Sequence, residues 1–166
     1  MIKNDKLTIL SELEKFALYE LPDFNNEQRR EYFSFSENEM LLIKRSNYSH
    51  IKIYCALQIG YFKAKKMFFQ ILWKDIIQED LQFIIHHYFP DIKITKATIT
   101  KHQYYTQRQE IADLFGYQLW SKNFLQPLYE QAAQIIKRDT TPNFIARELL
   151  AFLNNLQIIR PAYTRC

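Results

Sequence analysis

The chain has 166 residues, 48% hydrophobic and 24% charged, with a net charge of +4, which is the profile of a folded chain long enough to bury a core. Only two glycines occur, Gly60 and Gly116, and sheet-rich folds need many positive-φ turns, so helices are expected. No uncharged apolar run approaches the roughly 18 residues that span a bilayer, the opening MIKNDKLTILSELEK turns acidic too early for a signal peptide, and a cytoplasmic protein with no membrane partner is expected.

In chain order, LSELEKF offers Ser11 as a helix N-cap with Glu14 three residues on, and this first helix should stop before Leu21-Pro22. A short helix over NNEQRREYF starts at Asn25 or Asn26. SFSENEMLLI repeats the capping pattern with Ser36 and Glu39. From His50 to Lys66 the chain is apolar on nearly every face, which predicts a buried central helix holding Cys55. It ends in FKAKKMFF, where Lys63, Lys65 and Lys66 are expected to reach solvent. Cys166 is the second cysteine, and with so distant a partner a reducing compartment is the simpler reading.

Ile77, Leu81, Ile84 and Tyr88 are spaced as on an amphipathic helix ending at Pro90. DIKITKATIT has strand propensity but no partner strand, and reads as an extended linker entering a helix near Thr100. Thr106 is a candidate cap for a helix carrying Ile111, Leu114 and Phe115, closed by Gly116. Ser121 opens the next helix, and Thr141-Pro142 opens the last. The expectation is an all-α fold of about seven or eight helices with helix-turn-helix-like elements: one region over 1–166, with subdomains 1–90 and 100–166 about a hinge near 90–100.

Charge is unevenly placed, at −4 over residues 1–40, +6 over 41–110 and +2 beyond. A basic middle suits a polyanion, although lysines that merely solvate helix faces would give the same count. Residues 94–108, ITKATITKHQYYTQR, hold no acidic group. There Lys96, Lys101 and Arg108 supply charge, Thr98, Thr100 and Thr106 supply hydroxyls for phosphate, and His102, Gln103 and Gln107 could read bases. Tyr104 and Tyr105 fit either as spacers on DNA or as core. Lys44 and Arg45, with Lys63, Lys65 and Lys66, are secondary phosphate contacts. Catalytic signals are lacking: no CxxC, HExxH or glycine-rich phosphate loop occurs, and adjacent His86 and His87 would point about 100° apart on a helix. No catalytic residue, metal, cofactor or small-molecule ligand is expected.

The order of LSELEKFALYELP, EYFSFSENEMLLIKRSN, IYCALQIGYFKAKKMFF, QRQEIADLFGYQLW and LQIIRPAYTRC resembles the N-terminal region of the Tn-three family of replicative transposases, over about residues 7–164. The resemblance implies an all-helical, non-catalytic part that binds the terminal inverted repeats of a transposon as double-stranded DNA. It also implies that the chain is the N-terminal fragment of a longer transposase, whose catalytic domain would follow and whose remainder would be a partner. The chain departs from the family's pattern at Ala64, Lys65 and Lys66, where a glycine and arginine are common, and at Gln107, Arg108 and Gln109, where the family is arginine-rich. A helical module for pairing transposase subunits is the alternative.

Overall fold

The computed structural model describes residues 12–95 and 97–160, with every side chain among them except those of Glu12 and Phe16. Ser11, Lys96, Pro161, Ala162, Tyr163 and Cys166 lie outside the described residues. The described residues form α1 (Glu12–Tyr19), α2 (Asn26–Tyr32), α3 (Glu37–Lys44), α4 (Ser49–Lys65), α5 (Gln78–Tyr88), α6 (Lys101–Phe115), α7 (Leu125–Ile136) and α8 (Pro142–Asn155). Single 3-10 turns occur at Trp73–Asp75 and Lys122–Phe124, and no β-strand is present among the described residues. The fold is all-α, as expected. None of the described helices is long and apolar enough to cross a membrane.

Two compact units partition these helices. One is Leu21–Leu119; the other joins the chain up to Glu20 to the chain from Trp120 onward. The expected hinge near 90–100 falls inside the first unit.

In the Leu21–Leu119 unit, α4 is the axis. Ile53 through Phe62 are all buried, and α2, α3 and α5 pack around them. Tight packing is decided at Gly60, where a Cβ would stand 2.2 Å from Cε1 of the buried Phe33. Phe33 in turn meets Phe24, Tyr61 and Phe83 at ring-centroid distances of 5.6, 5.8 and 6.1 Å, each such pair adding about 0.5–1.5 kcal/mol beyond area burial. Beyond α4 the chain turns back through Lys66, which adopts a left-handed φ of 55°. The returning Met67–Phe69 is pinned by Gln58, whose amide donates to the Phe69 carbonyl and accepts from the Phe69 N–H. A side-chain amide thus replaces the backbone partner that a strand would have supplied.

The first-turn caps act as their sequences suggest. Asn25 with Gln28, and Ser36 with Glu39, form reciprocal capping boxes. One buried network has no such signature in the sequence. Arg29 donates to Asp80 at 2.8 Å, to Asn26 at 2.9 Å and to the Phe24 carbonyl at 2.9 Å, while Tyr61 donates to the second Asp80 oxygen at 2.7 Å. Asp80 is wholly buried, so its charge is tolerated only because both oxygens are partnered.

In the other unit, α7 packs against α8, burying Ile135 and Leu153. Pro142 occupies the first position of α8, as its fixed φ favours. Glu14 of α1 accepts from Asn143 and from Arg147 of α8, and Arg160 donates to the Leu18 carbonyl with its guanidinium 5.4 Å from the Tyr19 ring. α1, α8 and Arg160 are thereby joined in one unit.

Candidate nucleic-acid interface

Among its described residues the segment with strand propensity forms no strand. Residues 92–95 and 97–100 are irregular and are held by side chains instead: Ser49 shares a hydroxyl hydrogen bond with Thr95 at 3.3 Å, and the Trp73 indole donates to the Ala97 carbonyl at 3.0 Å. Thr98 is exposed just beyond these anchors.

Thr100 then caps α6. Its Oγ1 accepts from the Gln103 N–H at 3.1 Å, and the Gln103 side chain accepts from the Thr100 N–H at 2.9 Å. The helix therefore begins well before Thr106, which is not a cap but an exposed residue inside it. A complete capping box at Thr100 outweighs the modest helix propensity of KHQYYTQR. At the far end Gly116, with φ of 71°, closes α6 as expected. Two expected base readers are redirected by this geometry. Gln103 serves the cap, and Gln107 is buried with its amide donating to the Ile51 carbonyl.

α6 exposes Lys101, His102, Tyr105, Thr106 and Gln109 and, near its C-terminal end, Asp113. Around Lys101 a chain of cations and rings begins. Lys101 Nζ lies 5.9 Å from the Tyr105 ring centroid, and the Arg108 guanidinium lies 5.4, 5.3 and 5.4 Å from Tyr105, Tyr104 and Phe68. Phe68 stacks on Phe62 at 5.2 Å, and Lys66 Nζ lies 5.7 Å from the Phe62 ring. The start of α6 and the basic end of α4 are thus linked by alternating charges and π faces, an arrangement that holds cations close together through the ring quadrupoles. Within it the Arg108 Nε is buried without a hydrogen-bond partner. Burial, with Lys63 nearby, pulls the Lys66 ammonium below the ordinary lysine value, and burial raises the Tyr104 hydroxyl.

On the α3 flank, Lys44 and Arg45 are exposed at the end of that helix. Arg45 and His102 line one hollow of about 280 Å³, floored by Leu42, Ile51 and Cys55. The Cys55 thiol is pushed up to about 12 by burial first and Glu110 second, which keeps it protonated and unreactive. Lys63 does not extend into solvent as its setting in FKAKKMFF suggests. It forms an ion pair with the buried Glu39 at 2.7 Å and donates to the Ser34 carbonyl at 2.8 Å. The buried capping glutamate of α3 draws it inward. Lys65 is half-buried.

The connection from α5 to α6 is the long Phe89–Thr100 segment rather than a tight turn, so α6 is not the second helix of a helix-turn-helix with α5. Short connections of four residues join α2 to α3 and α3 to α4, and of these second helices α4 is buried. Among the described residues no group of three or more His, Cys, Asp or Glu is placed to hold a metal ion.

A family model described as "Domain of unknown function (DUF4158)" matches residues 9–165. The chain belongs to the DUF4158 family. No curated protein and no solved structure matches it. In this DUF4158 chain two features of the site escape a reading by composition, the ring clasp around Arg108 and the pairing of Lys63 with Glu39. The first has a local signal, because Tyr104, Tyr105 and Arg108 stand three and four residues apart on one helix. The second depends on how α3 meets α4 and has none.

Proposed function

We propose that this DUF4158 chain binds double-stranded DNA, recognising the terminal inverted repeats of a transposon as a non-catalytic part of a transposase. The observation that carries the reading is the N-terminal part of the exposed face of α6, where Lys101, His102, Tyr105, Thr106 and Gln109 stand together and the first exposed acidic residue of the helix, Asp113, comes one turn further on with the Gln109 amide donating to it. It is flanked by Arg45 on one side and by the Arg108–Lys66 chain on the other. Cations there suit phosphates, and the exposed imidazole, hydroxyl and amide suit base edges. The order of sequence motifs shared with the Tn-three family supplies the transposon end as the target. In this reading Lys101, Lys44 and Arg45 contact phosphate, Thr98 adds a hydroxyl, and His102 reaches a base. Thr100 acts as the cap that aims them.

Substitution separates these roles. Lys101→Ala should weaken binding to repeat and scrambled duplexes alike and lower the salt slope by about one unit. His102→Ala should cost the repeat about 1–3 kcal/mol more than the scrambled duplex. Equal losses on both duplexes for His102→Ala would remove it from base reading.

A subunit-pairing module is the second reading, favoured by the exposed Leu125, Tyr129 and Ile136 of α7. It predicts self-association seen by sedimentation in the absence of DNA.

A further inference from the structure

Where α3 meets α6, two hollows adjoin. The first, about 280 Å³, includes Arg45, Cys55, His102 and Glu110 in its lining; the second, about 460 Å³, includes Leu41, Arg45, Glu110 and Asp113. Both are lined by Leu42, Arg45 and Glu110, and there the groove is spanned by an ion pair, Arg45 Nη1 to Glu110 Oε1 at 3.1 Å. The two side chains are 67% and 34% exposed, so the pair is open to solvent and to any anion that approaches. Its members are far apart in sequence: Arg45 caps the C-terminal end of α3, and Glu110 lies on α6.

Glu110 is the first acidic residue after Asp91 and follows directly on the uncharged and basic face of α6. Such a carboxylate beside a polyanion is unfavourable unless it has another task. A guanidinium fork engages a carboxylate and a phosphate with the same geometry, so the two compete for Arg45. We infer that Glu110 restrains Arg45 and thereby sets the affinity of this face for duplex DNA: the carboxylate holds the guanidinium across the groove until a phosphate displaces it. The inference rests on the DNA-binding reading and adds to it an affinity-setting residue that touches no base. Because the contact is to phosphate, its effect is the same on every sequence. Asp113, one turn on and also exposed, is engaged by the Gln109 amide at 2.9 Å and serves as a control for loss of charge alone.

The test uses the full chain and labelled duplexes of the terminal repeat and a scrambled sequence, followed by anisotropy across a salt series. Glu110→Gln should tighten both duplexes roughly two- to five-fold, the factor that corresponds to opening an exposed ion pair. Arg45→Ala should weaken both duplexes in the wild-type background, through the lost phosphate contact, and should cost roughly two- to five-fold more in the Glu110→Gln background, so that the gain disappears. Asp113→Asn should give a smaller gain, with no dependence on Arg45. Circular dichroism confirms folding, and Glu110→Ala repeats the test if the glutamine variant loses helicity. If Arg45→Ala costs the same in both backgrounds while the wild type binds DNA, the restraint is overturned and the DNA reading stands. If the wild type binds neither duplex, both are overturned.

Discussion

At the scale of single residues, two positions show how little freedom the core of the Leu21–Leu119 unit has. Gly60 is helical and gains nothing from glycine's backbone range; it is there because Phe33 occupies the place of a Cβ. Gly60→Ala should therefore destabilise the protein by about 1–3 kcal/mol through overpacking, although alanine is the better helix former, and a thermal or urea melt would show it. The second position is Tyr61. Burial first, and then its hydrogen bond to Asp80, raise its hydroxyl above the usual tyrosine value, and burial likewise raises Cys55 to about 12. Both groups keep in the folded state a proton that the unfolded chain gives up at lower pH. Their contribution is fully present below about pH 8 and declines as pH rises, first for Cys55 and then for Tyr61, by at most about 1.4 kcal/mol per pH unit for each group. Tyr61→Phe should lower stability near neutrality by about 1–3 kcal/mol, because one Asp80 oxygen loses its donor. It should also flatten the alkaline decline, as denaturant melts at pH 8 and above would record.

At the scale of elements, helix boundaries were legible wherever the signal lies within a few residues of the boundary itself. Ser36 with Glu39, Asn25 with Gln28, Pro142 and Gly116 all act locally, so their positions in sequence suffice. The start of α6 was harder to read because Thr100 and Thr106 are both good caps in isolation. Only the reciprocal Gln103 contact decides between them. Thr100→Ala should cost about 1 kcal/mol of stability, measured by thermal melt, by leaving the first turn of α6 uncapped. The fate of the lysines was not legible. Lys63, Lys65 and Lys66 share one basic run, yet Lys63 turns to Glu39 and Lys66 lies on Phe62, since the packing of α3 and of Phe68 against α4 decides which anion or ring each can reach. The inward Arg29–Asp80–Tyr61 network is of the same kind, built from residues on three helices that no periodicity brings together.

At the scale of the whole molecule, the described candidate interface lies within the Leu21–Leu119 unit, on elements tied to the buried α4 rather than on a free arm. α6 packs against α3, the segment before it is anchored at Thr95 and Ala97, and the cations beside it are clasped by rings. A surface held in this way is preorganised, which reduces the ordering cost of binding a stiff duplex. Recognition of a particular DNA end by this surface is tested by fluorescence anisotropy with the terminal-repeat duplex and a scrambled duplex, each across a salt series. Tighter binding to the repeat is expected, with log affinity falling by about four to six units per log unit of salt. Equal and weak binding to both duplexes would contradict it.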